Sequence, residues 1–199
     1  MVWGRDGSDA FIAALVDDAV RAVERLLAHR LTRALHVVAY ASNEEACRAL
    51  DRRVPATMLL APLHTSTLAL VALQAPSVDP RNGDVQRMRR LLCHELAHVL
   101  VAERTGSVKR LGDGNRGMRV SSWVDEGLAV CVAAAAAQQP DVIDAALERS
   151  AAAALSEDAL AAAFDDLTSR DRDAAFAVAT ARIWRAVQAH GFRFVFAGL

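Results

Sequence analysis

At 199 residues with 53% hydrophobic side chains, the chain is long enough to bury a core and too apolar to be disordered. Its 23 basic and 24 acidic residues leave a formal net charge of -1 with no basic block, so nothing electrostatic recommends nucleic acid or an anionic membrane as partner. Cys47, Cys93 and Cys131 form no C-x-x-C pair and read as small buried hydrophobes in a reduced compartment, not as a disulfide framework.

The first residues carry no charged-then-apolar signal pattern, and Asp17 and Asp18 break the next apolar run. The expectation is therefore a cytoplasmic protein without a membrane span. Residues 8–30 predict a helix: Phe11, Ile12, Leu15, Val16, Ala19, Val20, Val23, Leu26 and Leu27 make an apolar stripe, and Ser8 is positioned to cap it. Residues 34–40 read as a strand rich in β-formers, followed by a helix over 43–52 with Ser42 and Glu45 as a capping box. Residues 56–61 and 67–73 read as two further strands, joined as a hairpin through residues 63–66. His36 and His64 fall in this region and read as structural or exposed side chains.

Pro76, Pro80 and Asn82-Gly83 mark a loop, after which Asp84 can cap a long helix reaching to about residue 103. Arg87, Arg89 and Arg90 in its first turns read as a solvated face. Residues 104–122 are loop chemistry, holding four of the ten glycines, and their Lys109, Arg110, Arg116 and Arg119 would make the rim of a cleft basic. A second helix begins near Ser121 and runs through the alanine stretch to Pro140. Further helices are predicted from Asp141 to about 154, over 157–163 with Ser156 as cap, and over 172–190 with Gly191 as C-cap. The aromatic tail 192–196 is expected to pack on the core.

The long helix contains His94-Glu95-Leu96-Ala97-His98. Residues four apart share a helix face, so both imidazoles point one way and can supply two of the three protein ligands of a zinc ion. Glu95 lies beside the first of them, where a general base is needed. No third histidine follows at the spacing His-x-x-Gly-x-x-His would require. The carboxylates Asp125 and Glu126 open the next helix, which can lie antiparallel and complete a two-histidine, one-carboxylate site. Asp125 is also placed to cap that helix, the role its position favours, or to hydrogen-bond a ligand. Trp123 reads as a core anchor for the helix.

Leu92-Cys93-His94-Glu95-Leu96-Ala97-His98-Val99 followed by Trp123-Val124-Asp125-Glu126-Gly127-Leu128-Ala129 resembles the gluzincin metallopeptidases of the MA-like superfamily. The resemblance implies that His94, His98 and Glu126 bind Zn2+ and that Glu95 is the catalytic base. It implies a single zincin-like α+β domain over residues 1–199. A small strand-containing N-terminal lobe (about 1–83) would pack on a mainly helical part (about 84–199), with the active-site helix between. The implied activity is hydrolysis of peptide bonds in a peptide or protein substrate. One departure from the pattern stands out. Family members often place a tyrosine or histidine in the C-terminal lobe to stabilise the oxyanion; here Tyr40 is the only tyrosine and His190 the only histidine beyond the motif. That departure leaves room for an alternative: a catalytically weak or inactive zinc-binding regulatory module on the same fold.

Overall fold

The computed structural model describes residues 2–3, 9–32, 34–40, 48, 60–64, 68–74, 84–107, 119–153, 155–165 and 171–199. The helix predicted over 43–52 and the basic loop positions Lys109, Arg110 and Arg116 lie outside these residues, apart from Arg48.

Helix α1 (Asp9–Leu27) follows from its apolar spacing: Ile12, Leu15, Val16, Ala19, Val23 and Leu27 all turn into the core. It ends where Ala28 takes a left-handed conformation (φ 50°), and Glu24 Oε1 accepts the N–H of Leu31 at 2.8 Å. Four backbone segments then pair as strands: β1 (Val2–Trp3), β2 (Ala34–Tyr40), β3 (Leu60–His64) and β4 (Leu68–Gln74). Their order is β1-β2-β4-β3, with β1–β2 and β2–β4 parallel and β3–β4 antiparallel. Leu63 and His64 belong to β3, opposite Leu70 and Ala69, rather than to the turn expected there.

The expected α+β class with a strand lobe is overturned. Of the residues described with their side chains, 82% are helical. Of the strand residues, only Leu35 and Val37 have described side chains, and Val37 is buried. The physical reason is the alanine content. Alanine favours helix and takes little volume, so the described interior is built from helices in close approach.

Helix α2 (Asp84–Thr105) carries the two histidines and is fastened at both ends. Near its start Arg89 pairs with Asp18 of α1 at 2.9 Å, and Arg90 donates to Gln139 Oε1 at 2.9 Å. These arginines tie helices together instead of forming the solvated face expected of them. Near its end Glu103 Oε1 accepts both the Thr32 hydroxyl, at 2.6 Å, and the Thr32 N–H, at 3.0 Å. Gly106 (φ 67°) then stops the helix, with Ser107 N–H donating to the Ala102 carbonyl.

Helix α3 (Ser122–Ala137) is apolar nearly all round, and its residues Gly127, Leu128, Ala129, Cys131 to Ala134, Ala136 and Ala137 are buried. A helix of that kind belongs in the middle of the fold. α2 packs along one side of it and α6 (Arg172–His190) along another. Between them in sequence come α4 (Pro140–Ala151) and α5 (Glu157–Asp165). Gln139 caps α4 and Pro140 occupies its first turn, so Asp141 lies inside the helix rather than capping it. The Ser156 hydroxyl accepts the Ala159 N–H at the start of α5. The tail forms α7 (Phe192–Ala197), whose Phe196 is buried against His29, while Phe194 stays exposed beside His190. Among the described residues no helix is long and apolar enough to cross a membrane.

Candidate metal centre

His94 and His98 stand one turn apart on α2, as their spacing requires. α3 packs against that face and brings Glu126 to them. Three atoms converge: His94 Nε2 and His98 Nε2 are 3.1 Å apart, and Glu126 Oε2 lies 3.3 Å from the first and 3.5 Å from the second. Among the described residues this is the one cluster of three or more His, Cys, Asp or Glu side chains able to hold a metal ion.

The triangle has the size a tetrahedral zinc needs. Bonds of about 2.0–2.1 Å at the tetrahedral angle put neighbouring ligand atoms about 3.3 Å apart. Three atoms with lone pairs also repel at these separations unless a proton or a cation sits among them. The donor set, two imidazoles and one carboxylate, is the borderline-soft combination that suits zinc.

Asp125 does not cap α3. Ser121 is the N-cap residue, and Asp125 is buried one turn further in, with Oδ2 2.8 Å from His98 Nδ1. A carboxylate at Nδ1 keeps the imidazole proton on that nitrogen and turns the Nε2 lone pair toward Glu126 and His94. Burial alone would discourage charge on His98. The carboxylates of Asp125 and then Glu126 outweigh it and hold the imidazole pKa well above its ordinary value. Burial likewise works against the Glu126 carboxylate, and His98 followed by His94 reverse that, holding its pKa well below the usual range.

Asp125→Ala is expected to weaken zinc binding about 10- to 100-fold while leaving all three ligands in place. Competition titration against a chromophoric chelator measures it, and an unchanged affinity would show that His98 needs no orienting partner.

Set against known proteins, the chain matches no family model, no curated protein and no solved structure. The likeness to gluzincins therefore rests on the motif residues themselves.

Glu95, one position after His94, is buried at 8% exposure. The ligands are not equally covered. The His98 side chain is 7% exposed, His94 20% and Glu126 24%. His98 is the most covered of the three, and His94 and Glu126 are half-buried. Cys93 and Cys131 are free and buried, and burial pushes each thiol up to about 12, so neither offers a thiolate ligand near neutral pH.

Gly127 has a structural role that its place in the motif did not disclose. A Cβ there would stand 2.8 Å from the Ala179 carbonyl oxygen and 2.9 Å from Ile183 Cγ1. The missing side chain lets α3 lie directly on the backbone of α6, next to Glu126. A glycine beside a proposed ligand inside a helix was the available signal, since glycine costs a helix interior about 1 kcal/mol against alanine.

Proposed function

We propose that the protein is a zinc-dependent hydrolase of the gluzincin type, acting on peptide bonds, with His94, His98 and Glu126 holding the ion and Glu95 as general base. The observation that carries this reading is a triad of three side-chain atoms spaced for zinc, to which no other described residue adds a fourth. Structural zinc sites close with four protein ligands, whereas catalytic ones keep a position for water. When bound, zinc supplies Lewis acidity and lowers the pKa of a coordinated water toward about 7. The residues supply the rest: Asp125 orients His98, and Glu95 takes a proton from water and delivers it to the leaving amine. A cytoplasmic location is proposed with it, on the strength of the unpaired cysteines Cys93 and Cys131.

The test compares wild-type protein with Glu95→Gln on a broad peptide library. Both are expected to hold one zinc, and the variant to hydrolyse about 100- to 10,000-fold more slowly. Equal rates would remove Glu95 as the base.

A second reading, a zinc-binding module with little or no catalysis, is favoured by one observation. His190, the only histidine beyond the motif, sits at the last residue of α6 with its ring 5.0 Å from that of Phe194. An oxyanion donor can be worth about 3–4 kcal/mol of transition-state stabilisation, so lacking one makes a slow enzyme. Zinc uptake without measurable hydrolysis by the wild type would select this reading.

A further inference from the structure

We propose that Arg182 is a positioning residue for the metal site, holding the first turn of α3 so that Glu126 meets the two histidines; this rests on the zinc-site reading above. The α3 start has an unusual need for such support. Its N-cap residue, Ser121, makes no side-chain capping hydrogen bond. The turn that lacks it carries both Asp125 and Glu126.

α6 supplies the missing constraint through one row of residues. The Arg182 guanidinium lies 5.7 Å from the centre of the Trp123 ring, within the range of a cation–π contact. Trp123 is three residues before Glu126, so the two share a helix face. The same guanidinium donates through Nη2 to the Leu155 carbonyl, which fixes it from the far side. One turn along, the Ala179 backbone seats Gly127, and the Thr180 carbonyl accepts the Cys131 thiol at 3.5 Å. Trp123 itself packs on both the main core and the smaller cluster around Leu160, Phe164 and Val178. α6 thus sets both the depth and the rotation of α3. Arg182 acts at the end where the ligand lies, and rotation there moves a carboxylate in and out of a triangle with edges of 3.1–3.5 Å.

The experiment uses the full chain and two variants. Arg182→Gln keeps a donor for Leu155 but removes the cation over the ring; Arg182→Lys keeps a cation. Zinc affinity is measured by chelator competition, and coordination by the visible absorption of the cobalt(II)-loaded protein. Arg182→Gln is expected to bind zinc about 2- to 10-fold more weakly and to shift the cobalt bands, with Arg182→Lys closer to wild type in both. A purely structural role would lower the melting temperature and leave the cobalt spectrum of the folded protein as it was. Arg182→Gln indistinguishable from wild type in affinity and spectrum overturns the proposal. If Arg182→Gln does not fold, a third variant, Arg182→Met, decides, because it keeps an apolar stem against Trp123 and removes the cation: its cobalt spectrum is expected to shift, and an unshifted one overturns the proposal. Wild-type protein that takes up neither zinc nor cobalt sinks the metal site itself, whereas wild-type uptake with unaltered variants sinks only the role of Arg182.

Discussion

His98→Ala should bind zinc more than about 100-fold more weakly than wild type, since even the outer partners of metal ligands are worth about 10- to 100-fold. It should also destabilise the protein with no metal present, by about 3 kcal/mol. His98 stands between two carboxylates, 2.8 Å from Asp125 and 3.5 Å from Glu126, and Asp125 is buried. Removing the imidazole strands a buried negative charge, a change that typically costs about 3–5 kcal/mol. His94→Ala separates the two effects. His94 is more exposed and contacts Glu126 and His98, so its loss should abolish tight zinc binding at a smaller cost to stability. Denaturant unfolding of chelator-treated proteins reads the stability, and competition titration reads the metal. Equal stability losses for the two variants would mean that Asp125 finds compensation elsewhere.

The second large effect is expected at Gly127. Alanine is worth up to about 1 kcal/mol over glycine inside a helix, so propensity alone predicts that Gly127→Ala stabilises. The geometry predicts the reverse. The new methyl would stand 2.8 Å from a backbone carbonyl oxygen of α6, and backbone cannot rotate out of the way as a flexible side chain can. Overpacking of this kind costs about 1–3 kcal/mol, which exceeds the propensity gain. Gly127→Ala should therefore unfold at lower denaturant concentration and bind zinc less tightly, because α3 must move off α6 and carry Glu126 with it. Gly127→Val should be worse in both respects. A stabilised Gly127→Ala would show that the two helices separate without consequence for the site.

Much of the candidate site could be read from the chain because helical periodicity is a short-range property. The four-residue spacing put His94 and His98 on one face, and a carboxylate at the start of the next helix was within reach once the direction reversed. Asp125 was harder. A carboxylate near a helix start suits capping and ligand support equally, and only the packing of α2 on α3 decides between them. Arg182 left no local signal at all, because its partner Trp123 belongs to another helix. The fold class failed for a different reason. Apolar runs such as 67–73 were read as the makings of a strand lobe, yet most of the described interior is filled by α1, α2, α3 and α6. The apolar stripe of α1 was legible; how far helices would dominate the described residues was not.

The unequal cover of the three ligands bears on how fast an ion can come and go. His98 is nearly covered, with Asp125 against its Nδ1, while His94 and Glu126 are more exposed. An ion held by the three would be more accessible to a competing chelator on the side of His94 and Glu126 than on the side of His98. Exchange through such a route quickens with chelator concentration, and the lifetime of the bound ion is set by who is competing for it as much as by the grip of the site.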